Sequence, residues 1–125
     1  MAKKTFHIDS FQKGYFMSWF VTTQAAFLVK AKLYDSSKVY FEAQKQSVNI
    51  EPPLSTGYGT IMGNSLCLDI DEPQSANLDS SINTYNITTD TGAIVGYGYN
   101  ICIEDQNDRD YNDVSISLVA WKHRG

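Results

Sequence analysis

The sequence predicts an all-β protein, an antiparallel β-sandwich of about nine strands with Greek-key connections. Three observations carry that expectation. Short runs in which apolar and polar residues alternate recur along the chain, bounded by Gly, Pro, Asn or Asp. Tyr, Phe, Val, Ile and Thr, which suit a pleated, half-buried surface, are plentiful. No stretch keeps a helical apolar period between recognisable caps.

Taken in order, the expected strands begin with Phe16–Val21 and Ala26–Tyr34; in the second, Val29, Ala31 and Leu33 stand opposite Lys30 and Lys32. The segment beginning Asp35-Ser-Ser turns the chain into Val39–Ala43, and Ser47–Ile50 follows. Glu51–Gly57 reads as a loop, because Pro52 and Pro53 cannot donate to a central ladder. Gly59–Met62 and Ser65–Ile70 come next, separated by a turn at Gly63-Asn64. Ile82–Thr88 and Ala93–Ile103 flank a turn at Asp90-Thr-Gly92. Gly96 and Gly98 inside the second of these suggest a bulge or a close backbone approach. The last strand, Val114–Lys122, sets Val114, Ile116 and Leu118 against Ser115 and Ser117, so one face is apolar and the other polar.

At 125 residues the chain is expected to form one domain, residues 1–125, with apolar content enough for one core. No apolar run is long enough to span a membrane. The first residues lack a signal peptide's apolar stretch, so a soluble protein is expected, cytoplasmic or released by another route. An acidic balance of −4 without a basic face argues against nucleic acid. Cys67 and Cys102 fit no zinc pattern; a disulfide would form only if their strands are neighbours, and thiols are the more frequent state for such a pair. His7 and His123 are isolated and read as surface residues.

The formal charge is concentrated in one place. Glu104–Asp113 holds five acids, two asparagines and one arginine in ten residues; the rest of the chain has nine acids and nine bases. Two carboxylates about 5 Å apart repel by roughly 3 kcal/mol at an effective dielectric of about 20. Folding several onto one site therefore needs protons or a cation. Every candidate donor is oxygen, which favours calcium or magnesium over zinc. Glu104, Asp108, Asp110 and Asp113 offer eight carboxylate oxygens and Asn112 an amide oxygen. One calcium takes about 6–8 oxygens, so two ions would need bridging carboxylates and an external contribution. In an extended segment, residues 108, 110 and 112 would share one side, with Tyr111 on the other, packed into the core. An EF-hand is excluded, since Asp113 replaces the turn glycine and Val119 stands where a bidentate Glu belongs.

The spacing Glu104-x3-Asp108-x-Asp110-Tyr111-Asn112-Asp113, followed by an alternating strand, Trp121 and a terminal Gly125, resembles the bacterial two-calcium, fucose- and mannose-binding lectins. Their signature reads E-D-G-T-D-N-D-Y-N-D before a strand ending W-P-L-G. The match spans residues 104–125; the rest agrees only in pattern. The resemblance implies that Glu104, Asp108, Asp110 and Asp113 hold one calcium, while Asp110, Asn112 and Asp113 help hold a second. It implies that the terminal carboxylate of Gly125 from a second subunit completes that site, hence a homodimer or higher oligomer. On a looser match, Thr22 takes the place of an early asparagine ligand, and the sugar-selecting loop falls at Thr23, Gln24 and Ala25. Both the strand before Trp121 and the tail after it are one residue longer than in the family.

The expected function is therefore a non-enzymatic, calcium-dependent lectin for fucose- or mannose-type glycans, with two ions per subunit favoured over one. Two rivals stand beside it. One is a calcium-stabilised structural or toxin-associated β-sandwich that binds no sugar. The other is a metal-dependent hydrolase, ranked last because the sequence shows no convincing separate base or nucleophile.

Overall fold

The computed structural model describes residues 2–105 and 110–125. Nine strands follow in order: β1 (Ala2–His7), β2 (Phe16–Thr23), β3 (Ala25–Tyr34), β4 (Val39–Ser47), β5 (Ser55–Thr60), β6 (Cys67–Glu72), β7 (Asp79–Thr88), β8 (Ile94–Glu104) and β9 (Val114–Trp121). They form a four-stranded sheet, β1-β6-β3-β4, and a five-stranded sheet, β5-β2-β9-β8-β7. Every pairing is antiparallel. Within the larger sheet, β7, β8 and β9 follow one another and β2 lies beside β9.

The two inner faces close on each other. Met17, Val21, Ile101, Ile103, Ile116 and Leu118 of one sheet, and Val29, Leu33, Leu68 and Ile70 of the other, are fully buried. This is the period-two alternation of the strands converted into a core about 10 Å thick. Trp19 stands in the same layer, stacked on Phe41 across the sandwich with ring centroids 5.7 Å apart. Its indole nitrogen donates to Ser55 Oγ at 3.0 Å.

About nine strands were expected and the described residues form nine, but not the same nine. β1 was absent from the expectation because Lys4 interrupts the apolar face that Ala2 and Phe6 begin. The lysine keeps its place by reaching across the sandwich, its ammonium 3.2 Å from Ser80 Oγ on β7. Val39–Ala43 and Ser47–Ile50 are not two strands; β4 runs continuously to Ser47 and the chain then bends. Lys45 Nζ collects the carbonyls of Asn49 at 2.6 Å and Pro52 at 2.7 Å, while the Asn49 amide donates to Ser47 Oγ. These side-chain bonds give the backbone an alternative to a ladder.

Glycine explains the shift of β5 into the expected loop. Gly57 pairs with Trp19, and a methyl group there would sit 2.6 Å from Trp19 Cζ2. Only a residue without Cβ lets the indole lie over the strand. Gly57→Ala is therefore expected to cost about 1–3 kcal/mol by overpacking, read from the urea midpoint. An unchanged midpoint would mean that the ring has room to move aside. Gly98 serves in the same way on the other face, under the ring of Tyr85.

The turn at Asp35 is built as its sequence suggests. Asp35 Oδ1 accepts from the amides of Ser37 and Lys38, and Oδ2 from the Gly63 amide and the Tyr40 hydroxyl. Cys67 and Cys102 lie in different sheets and are free thiols. No helix among the described residues is long and apolar enough to cross a membrane.

Candidate metal centre

β8 and β9 are hydrogen-bonded neighbours whose last paired residues are Ile103 and Val114. The acidic segment Glu104–Asp113 is thus the connection of a rigid hairpin, held at both ends by fully buried side chains. Its described residues turn their amides onto its own carboxylates. The Asp105 amide donates to Asp113 Oδ2 at 2.8 Å, and the Asp110 amide to Glu104 Oε2 at 3.1 Å.

These bonds bring Glu104, Asp110 and Asp113 together. One oxygen from each lies within 4.8 Å of the others. Glu104 and Asp113 are buried and Asp110 is exposed, so the group opens to solvent on one side. Residues 110–113 are not extended, so the side-by-side projection that an extended segment would give does not apply. Tyr111 has φ of 54°, a left-handed conformation that is costly for a bulky residue and that such sites tend to retain. Tyr111 is half-buried and lies outside the core, contrary to its expected role as a plug. Asn112 is half-buried beside it, and Asp108 falls outside the described residues.

The end of β2 adjoins this loop. Thr23 pairs with Val114 and Thr22 with Ser115, and the Gln24 amide donates to the Asp113 carbonyl at 3.0 Å. Thr22 and Thr23 are both buried, and Ala25 enters the core as β3 begins. Residues about ninety apart in sequence are thereby placed side by side. Gly125 is elsewhere. β9 has eight residues and spans about 25 Å, so the chain end lies beyond the opposite end of that strand. There the Lys122 amide donates to the Val95 carbonyl, and the Arg124 guanidinium stands 4.9 Å over the Phe16 ring.

Two acids beyond those assigned from the sequence lie next to the cluster, outside the group that converges to within 4.8 Å. Glu72 ends β6 in the other sheet, and Asp105 follows Glu104. The Glu72 carboxyl lies against that of Asp105, with Asp113 and Glu104 the next charged groups. The signal for Glu72 was present: it shares parity with Leu68 and Ile70, so an acid occupied a core-facing position.

The electrostatics follow from the geometry. Burial, then the neighbouring acids Asp105, Asp113 and Glu104, push the Glu72 carboxyl up to about 9. Burial and the contact with Glu104 push Asp113 up to about 8, against the opposing donation of the Asp105 amide. Among the described residues no lysine or arginine pairs with Glu72, Asp105, Asp110 or Asp113. Carboxylates brought together in this way suit a hard divalent cation, and an all-oxygen donor set suits calcium. The residues present therefore fit such an ion.

No family model and no curated protein sequence matches the chain. Solved structures do. A high-affinity mannose-binding lectin of Ralstonia solanacearum superposes with a TM-score of 0.66 at 13% identity, over 97% of this chain and 96% of its own. A Chromobacterium violaceum lectin solved with α-methyl-fucoside gives 0.64 at 14% identity, over 100% of both chains. The C-terminal domain of a Burkholderia cenocepacia lectin gives 0.64 at 18%, over 99% of this chain and 98% of that one. At these identities the likeness is one of architecture, and over its whole length the chain has the two-sheet fold of these bacterial lectins.

Proposed function

We propose that this protein is a calcium-dependent lectin whose acidic hairpin loop holds the ions that receive the sugar. The observation that carries the reading is the convergence of Glu104, Asp110 and Asp113 to within 4.8 Å at the solvent-facing end of a lectin-type sandwich. Calcium bound there supplies coordination positions that adjacent sugar hydroxyls can take from water. Glu104 and Asp113 hold the buried side, and Asp110 with Asn112 the open side, with Asp108 completing the set. The Asp105 amide orients Asp113, and the backbone of Gln24 fixes the loop against β2. Thr22, Thr23 and Gln24 border the place where a sugar would rest.

Two ions need more oxygen than one chain supplies, which is the role proposed for Gly125 of a second subunit. The outer face of the five-stranded sheet favours self-association, since Phe20 and Tyr58 on it are at least half exposed. Pairing two weak sites on one particle raises affinity for multivalent glycans through effective concentration.

The test is a calcium titration followed by glycan-array binding, with and without chelator. Binding to fucosides or mannosides that chelator abolishes is expected; calcium-independent binding, or none, counts against the reading. The tail favours one alternative, a calcium-stabilised structural or toxin-associated sandwich without sugar binding, because Arg124 is engaged on Phe16 of its own chain. Melting raised by calcium yet indifferent to every sugar selects that alternative.

A further inference from the structure

Glu72 is fully buried, and neither carboxylate oxygen has a hydrogen-bond donor. Oδ2 of Asp105, against which it rests, is also buried without a donor. The contact is held in place from both sides. The Ser75 amide donates to the Glu72 carbonyl at 3.0 Å, and Ser75 Oγ lies 3.1 Å from the Asp105 carbonyl. Glu72 also pairs with Ala2 at the end of the β1–β6 ladder, so its backbone cannot swing it into water. Two carboxylates fixed face to face, with three oxygens lacking a donor among the described residues, are an arrangement that hydrogen bonding there leaves incomplete. What remains is a shared proton or a cation.

We propose that Glu72, delivered from the four-stranded sheet, is a further ligand of the cation site, closing with Asp105 its buried side around a divalent, oxygen-seeking ion such as calcium. The inference rests on the reading that the acidic loop takes calcium. It adds a consequence that the loop alone does not carry. A cation held by Glu72 on β6 and by the β8–β9 connection joins the two sheets, so ion binding clamps the sandwich at this end. A shared proton explains the burial equally well but predicts no dependence on metal.

Calorimetric calcium titration and melting curves of the whole chain, for the parent and Glu72→Gln, separate these outcomes. Glutamine keeps the volume and can still hydrogen-bond to Asp105. The expected result is calcium binding weakened at least tenfold and a calcium-induced rise in Tm cut by half or more, while in chelator the variant melts no lower than the parent. Equal affinity and an equal rise would overturn the role of Glu72 and leave the loop site standing. Absence of calcium binding in the parent would overturn both, so the two failures are distinguishable. If the glutamine variant does not fold, Glu72→Met, of similar volume and without charge, is read against the same criteria.

Discussion

Asp113→Asn is expected to change stability in opposite directions with and without calcium. Asp113 is buried at 7% exposure, receives the Asp105 amide, and lies within the converging carboxylate group. Asparagine retains the shape and the hydrogen bond but removes the charge a cation requires. In calcium the variant should lose at least a hundredfold in affinity, about 2.7 kcal/mol of binding free energy. That loss appears as a lower Tm, because an ion that binds only the folded state stabilises it by mass action. In chelator the sign reverses. An ionised carboxylate confined among other acids costs on the order of 1–3 kcal/mol or more, and its removal should raise Tm. Calorimetry and paired melting curves read both effects. A variant that melts lower in both conditions would make Asp113 a packing residue and remove it from the metal site.

The second large effect concerns pH in the absence of metal. Burial and neighbouring acids raise Glu72 to about 9 and Asp113 to about 8, whereas in the unfolded chain both titrate near about 4. Between those limits the folded state binds more protons than the unfolded state, so stability falls as pH rises. Below about pH 4 both states are protonated and the folded protein bears no penalty; above about 9 the penalty is complete. In chelator, Tm should therefore decline from pH 5 to pH 9. Calcium bound at the proposed site would replace those protons, so its stabilising effect should grow over the same interval. Asp35 does not mask the trend. Burial would raise it, but donation by the Tyr40 hydroxyl and three backbone amides outweighs burial and holds it below its ordinary value. Its contribution is present above the usual carboxylate range and is lost only as pH falls through its lowered native value, outside the interval. A chelator Tm that is flat or rises from pH 5 to 9 would show that the acids are solvated rather than confined.

Local pattern carried further for the elements than for their bounds. The alternation of Val114, Ile116 and Leu118 located β9, and paired glycines foretold close packing in β8. The expectation failed where a side chain acts at a distance. Lys4 breaks the face of β1 yet finds Ser80 across the sandwich, and Gly57 is strand because Trp19 needs its empty side. Neither partner is local in sequence, so no window along the chain contains the reason.

For the candidate site the division is the same. Sequence alone determined the chemistry of the segment: oxygen donors, an excess of negative charge, and a place between two apolar strands. Only the tertiary structure decided which acids meet. It folded the loop back through a left-handed Tyr111, set Gln24 against Asp113, placed Gly125 beyond the far end of its strand, and brought Glu72 in from the opposite sheet. The physical reason is that charge and donor type belong to each residue by itself, whereas the repulsion that calls for a cation arises only from distances between chain segments, and those are set by how the two sheets pack.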